Sequence, residues 1–122
     1  MEIKESAENY LETILVLSNK NGSVRSIDIA NEMNFTKASI SVAMKRLRES
    51  KYISVDTDGS ITLTEKGKKI AEMVYERHQL IAKLLIALGV DEETAYKDSC
   101  KIEHDLSQES FEKIKEYYEK HL

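Results

Sequence analysis

The sequence predicts a mainly α protein in two parts: an N-terminal winged helix-turn-helix over residues 1–72 and a helical half over residues 73–122. Three observations carry that expectation. Apolar residues recur at helical spacing along most of the 122-residue chain. Proline is absent and glycine numbers only 4, so few helix-breaking residues interrupt those stripes. The segment from Tyr52 to Thr64 instead alternates apolar and polar residues about Asp58-Gly59, a hairpin signature.

Taken in order, Ser6 is placed to cap a first helix with the stripe Ala7, Leu11, Ile14 and Leu15. Asn9 and Glu12 lie on another side of it, and Asn21-Gly22 ends it. Ser26 is placed to cap a short second helix, Ile27 to Met33, with Ile27 and Ala30 inward. Asn34 suits a tight turn, because Asn tolerates a left-handed backbone. Thr36 caps a third helix running to about Ser50, with Ile40, Ala43, Met44 and Leu47 on its apolar face. Its other face presents Lys37, Ser41, Lys45 and Arg48. Two helices joined by such a turn form a helix-turn-helix, and a hairpin directly after the second is its wing. Thr64 caps a fourth helix to about Leu88, with Ile70, Val74, His78, Ile81, Leu85 and Leu88 on one broad face, and Gly89 stops it. Asp91-Glu-Glu-Thr94 opens a fifth helix with acids at the favourable end of the dipole. Ser107 starts a sixth, striped by Phe111, Ile114 and Tyr118.

Charge and composition bound the function classes. The net charge is -4, but it is unevenly spread. From Lys37 to Lys51, five cations (Lys37, Lys45, Arg46, Arg48 and Lys51) face only Glu49. A basic helix on an acidic protein can still grip phosphates. No run approaches the ~20 apolar residues of a membrane span, and Met1–Ser6 lacks the apolar stretch of a signal peptide. The single cysteine, Cys100, excludes an internal disulfide framework and suits a reducing compartment. A cytoplasmic location follows as the expectation.

Two constellations carry chemistry. In the helix-turn-helix, the third helix is shaped to enter a DNA major groove. Thr36, Lys37, Ser39 and Ser41 stand near its start, where base edges are reached; Lys45, Arg46 and Arg48 stand where phosphates are. A winged helix used only for protein contacts is the plainer alternative. In the second constellation, Cys100, Glu103 and His104 project from one helical face at spacings i, i+3 and i+4. A thiolate, a carboxylate and an imidazole there make a transition-metal half-site. Each residue also has an ordinary reading: a cysteine packed as a small hydrophobe, a solvated Glu-His pair, His78 as a hydrogen-bonded core histidine, Asn9 and Glu12 as surface polar groups.

The combination resembles the diphtheria-toxin-repressor family of iron- and manganese-dependent regulators. The segments that carry the resemblance are Ser6-Ala-Glu-Asn-Tyr-Leu-Glu-Thr-Ile14, Leu63-Thr-Glu-Lys-Gly-Lys68, Glu76-Arg-His-Gln-Leu80 and Cys100-Lys-Ile-Glu-His104. It spans nearly the whole chain. By this resemblance, His78, Glu103 and His104 occupy metal-ligand positions, and Cys100 matches the cysteine of the iron-responsive branch. Asn9 falls where the family usually has Asp or Met, and Glu12 matches a carboxylate of the manganese branch. Two positions of the iron branch's second site correspond to Ala82 and Tyr96, and Ala82 has no donor atom. With the sequence reaching Leu122, the resemblance leads to the expectation of no SH3-like third domain of the kind longer members carry.

The resemblance implies a metal-dependent repressor that binds palindromic operator DNA as a homodimer, with no membrane partner and no enzymatic activity. Residues 73–122 would be the metal-binding and dimerisation domain. Metal would join the first helix to the fourth and fifth and favour the DNA-competent arrangement. Fe(II) or Mn(II) is the implied cofactor; Zn(II), Co(II) and Ni(II) are expected to bind in vitro, since raw affinity does not set selectivity. Two other readings differ in their outcomes. A metal-independent regulator with Cys100 as redox sensor would bind operator in chelator and release it after peroxide. A metalloenzyme built on the Cys/Glu/His cluster would need an open pocket and a base beside the metal.

Overall fold

The computed structural model describes residues 5–122, so the expectation about Met1–Ser6 falls mostly outside the described residues. The elements are α1 (Glu5–Asn21), α2 (Ser26–Met33), α3 (Lys37–Glu49), β1 (Ile53–Val55), β2 (Ile61–Leu63), α4 (Glu65–Ala87), α5 (Glu92–Ile102), a 3-10 turn (Glu103–Asp105) and α6 (Gln108–His121). The chain divides into two compact units, Met1–Glu72 and Met73–Leu122, with the division inside α4.

In the first unit, α1, α2, α3 and the hairpin surround one core. Leu11, Ile14, Val24, Ile29, Ile40, Met44, Leu47, Ile53 and Ile61 are buried in it. Burying each such side chain contributes roughly 1.5–3 kcal/mol. Phe35 N–H donates to Ala30 O beyond α2, with Asn34 left-handed at φ 57°, as its type allows. Lys51 repeats the device after α3 at φ 66°, where Tyr52 N–H donates to Leu47 O at 2.9 Å. No sequence feature marked that turn, because a lysine gains nothing from the left-handed region.

Strands β1 and β2 pair antiparallel, with Ile53 opposite Leu63 and Val55 opposite Ile61. Residues 56–60 connect them: Asp56 N–H donates to Ser60 O, Gly59 N–H donates to Asp56 O, and Gly59 takes φ 88°. Ser60 N–H donates to Asp58 Oδ1 at 3.0 Å, and bonds from Ser60, helped by Arg25, hold the Asp58 carboxyl below its ordinary value. Ile61 N–H donates to Val24 O and ties the wing back to the buried Val24. At the start of α4, Thr64 Oγ1 donates to Lys51 O and accepts from Gly67 N–H.

The second unit comprises the remainder of α4, α5, the 3-10 turn and α6. Asp91 caps α5 by accepting from Thr94 N–H, and Ser107 caps α6 by accepting from Ser110 N–H. Phe111 is buried, while Ile114 and Tyr118 are half-buried.

Five local expectations are corrected. Ser6 lies inside α1, which already includes Glu5. Arg25 rather than Ser26 is the N-cap of α2, and the Asp28 carboxylate accepts from Arg25 N–H at 2.9 Å. Ile27 is 40% exposed, and Ile29 is buried in its place. Two turns of helix with apolar residues at 27, 29, 30 and 33 fit two phases, and packing selects one. Leu88 is 73% exposed, because α4 ends at Ala87 and the chain turns away at Gly89, φ 105°. Finally, α5 ends at Ile102, so Glu103 and His104 stand on the tighter 3-10 turn rather than on the helix that carries Cys100.

Candidate DNA-binding surface and metal site

The outward face of α3 follows from its inward one. Ile40, Met44 and Leu47 are buried, which leaves Lys37, Ser39, Ser41, Lys45, Arg46 and Arg48 exposed together. Thr36 closes the helix start: its hydroxyl donates to Ser39 Oγ at 2.9 Å and accepts from Ser39 N–H at 3.1 Å. Thr36 and Ser39 are thus engaged in the cap. The first turn of α3 carries no acid, while Arg46 and Arg48 occupy its last turn, where cations suit the helix dipole. Phosphate affinity is consistent with both ends, since helix N–H groups and Lys37 stand at one and arginines at the other.

Val42 was not singled out from the sequence, yet it is 53% exposed on this face. An apolar residue four positions after Ala38 and three before Lys45 marks it in the helical pattern. Such a side chain suits a thymine methyl.

In the second unit, Glu103 and His104 are in contact, His104 Nε2 lying 3.1 Å from Glu103 Oε1. Their side chains are 1% and 3% exposed respectively. A buried carboxylate is costly unless cationic or donor groups surround it. His78 on α4 faces α5: its Nε2 is 3.1 Å from Tyr96 O, and its ring meets the Tyr96 ring edge-on at 5.9 Å. A carbonyl only accepts, so Nε2 carries hydrogen in this arrangement and Nδ1 is the lone-pair nitrogen of the neutral ring. Cys100 is a half-buried thiol on α5. Ala82, at the position without a donor, is buried.

Asn9 and Glu12 belong to the first unit, on α1. Asn9 is half-buried, with its carbonyl accepting from Thr13 Oγ1, and Glu12 is buried. Among the described residues, no group of three or more His, Cys, Asp or Glu side chains is placed so as to hold a metal ion.

The sequence reading also passed over Arg77. It is a buried arginine that donates to Glu103 O, Leu106 O and Gln108 Oε1. Its spacing from Val74 and Ile81 puts it on the inward stripe of α4, beside His78. That placement was the available clue. No described helix is long and apolar enough to cross a membrane.

Comparison with known proteins bears on both surfaces. Residues 2–61 match the family model "Iron dependent repressor, N-terminal DNA binding domain", and residues 64–121 match "Iron dependent repressor, metal binding and dimerisation domain". An HTH-type transcriptional regulator of Methanocaldococcus jannaschii is 34% identical over 120 residues, covering 97% of this chain and 96% of that protein. The HTH-type transcriptional regulator MntR of Bacillus velezensis is 36% identical over 109 residues, covering 89% of this chain and 77% of that one. Among solved structures, T. acidophilum IdeR superimposes with a TM-score of 0.80 at 22% identity, over 97% of this chain and 55% of that chain.

Proposed function

This chain belongs to the iron-dependent repressor family of metal-dependent transcriptional regulators, and from that premise we propose a cytoplasmic homodimer that binds a palindromic operator when loaded with Fe(II) or Mn(II). The family consists of regulators rather than enzymes, so a catalytic role for the Cys/Glu/His cluster is set aside. The observation that carries the proposal is the buried Glu103–His104 pair beside the helix that presents His78.

The donor set fits a divalent transition metal. By residue type, the second unit offers the Glu103 carboxylate, the imidazoles of His104 and His78, and the Cys100 thiol; Asn9 and Glu12 are proposed separately as donors on the first unit. A divalent cation, when bound, would supply the positive charge that offsets the buried Glu103 carboxylate and would favour the thiolate form of Cys100. The protein's own residues do the rest. The bond to Tyr96 O orients the His78 ring, and Nδ1 would be its coordinating nitrogen. Burial of Glu103 and His104 keeps water from competing for their donor atoms. On the DNA side, Lys45, Arg46 and Arg48 hold phosphates and set register, while Lys37, Ser41 and Val42 face base edges. The dimer follows from the dimerisation description of residues 64–121, with one α3 per half-site.

The test is DNA binding against free metal, measured anaerobically on a palindromic duplex selected from a random library. His78→Ala, Glu103→Ala and His104→Ala should each abolish the metal stimulation while circular dichroism stays that of the native fold. Cys100→Glu should shift activation toward Mn(II) relative to Fe(II) or Co(II), since a carboxylate is the harder ligand. Folded variants that respond to metal like the parent protein would overturn the ligand assignment.

A further inference from the structure

We propose that Arg77 is a positioning residue of the metal centre: its guanidinium fastens the 3-10 turn Glu103–Asp105 to α4 and so fixes the relative placement of Glu103 and His104. This rests on the metal-repressor reading above and names the part of the chain that sets its geometry.

Arg77 is only 8% exposed, and a buried guanidinium is unfavourable unless its donors find acceptors; Nε has none among the described residues, so the two Nη groups supply the compensation. Its Nη1 donates to Glu103 O at 3.1 Å and to Leu106 O at 2.8 Å, and its Nη2 donates to Gln108 Oε1 at 2.7 Å. All three acceptors are neutral oxygens strung along the exit of α5, the 3-10 turn and the first residue of α6. The last carbonyls of a helix have no N–H of their own helix to accept from. A guanidinium offers donors in a rigid planar fork, so one side chain can fix two carbonyls at once. The Phe111 ring lies 5.1 Å from the guanidinium carbon and holds the plane of the fork.

Arg77 and His78 are adjacent on α4, and they grip successive parts of one arm. His78 meets Tyr96 O on α5, before Cys100, and Arg77 meets Glu103 O and Leu106 O, after it. The donor groups Cys100, Glu103 and His104 therefore lie on a stretch secured from α4 at both ends. The Glu103 N–H bond to Ser99 O ties the start of the 3-10 turn only to α5, and the fork adds the tie from its carbonyl to α4. Groups that orient ligands in this way typically account for 10–100-fold in metal affinity.

The experiment uses the full chain with Arg77→Met and Arg77→Lys, and Co(II) alone as the probe. Amide hydrogen exchange is followed on the metal-free proteins, and anaerobic Co(II) titration is followed by ligand-field and thiolate absorption. Arg77→Met should accelerate exchange across residues 103–108 while α4 stays protected. It should also weaken Co(II) binding by about 10–100-fold and alter the ligand-field bands. Arg77→Lys keeps the buried stem and the charge but not the fork, so it should fall between; it also decides the matter if Arg77→Met does not fold. A folded variant with the parent's Co(II) affinity and spectrum overturns the positioning role. So does exchange that accelerates evenly through the second unit, which would mark a general packing role. Failure of the parent protein itself to take up Co(II) would instead overturn the metal-repressor reading.

Discussion

A Cβ on Gly67 would sit inside the van der Waals shell of the Tyr52 carbonyl oxygen. That oxygen already accepts from Thr64 N–H, so it is held in place and cannot retreat freely. Two effects oppose each other in Gly67→Ala. Helix propensity favours alanine by about 1 kcal/mol. Overpacking against fixed backbone costs about 1–3 kcal/mol, and the contact is with backbone rather than with the tip of a flexible side chain. The clash should win, and urea denaturation should show a lower midpoint with an unchanged slope. A variant as stable as the parent would mean that α4 slides away from β1 at little cost. Such a contact was invisible in the sequence, where Gly67 reads only as a weak residue inside a helix.

The start of α3 depends on one hydroxyl. Thr36 accepts from Ser39 N–H, and its replacement by alanine should cost about 0.5–2 kcal/mol of stability. Because the same turn carries Lys37, loosening it should also weaken DNA binding. A Thr36→Ser control should restore both, since serine caps equally well. If Thr36→Ala lowers DNA affinity but leaves thermal stability intact, the hydroxyl is contacting DNA rather than capping the helix. This cap was legible in the sequence, and so were the helix starts at Asp91 and Ser107, because these are local matters of residue type and spacing. The cap of α2 was not. Ser26 and Arg25 differ by one residue, and the Asp28 side chain that reaches back to Arg25 N–H decides the boundary.

For the intact repressor, metal and DNA are linked ligands. If metal raises DNA affinity by some factor, DNA must raise metal affinity by the same factor. Typical coupling free energies of 1–3 kcal/mol correspond to about 5–150-fold. Calorimetric Mn(II) titration of the protein, free and saturated with the selected duplex, should give a ratio equal to the DNA-affinity ratio measured with and without Mn(II). Unequal ratios would mean that metal also changes oligomeric state in one of the two measurements, which a concentration series would reveal.

Local pattern carried much of this protein into view. Residue periodicity marked α1, α3, α4 and α6, the Asp58-Gly59 pair marked the hairpin, and the basic outer face of α3 marked a candidate surface for DNA, because each depends on residues near one another in the chain. The family was legible for the same reason: its segments are short and keep their spacing. Other features depended on residues brought together from a distance. Packing chose Ile29 over Ile27 as the inward residue of α2. The 3-10 turn took Glu103 and His104 off the helix that carries Cys100, with Arg77, 26 residues away from Glu103, closing that turn. The Tyr52 carbonyl, far from α4 in sequence terms, made Gly67 indispensable to their approach. A charged side chain in an apolar stripe looks like an error until the carbonyls it satisfies are in place, and only the tertiary fold supplies them.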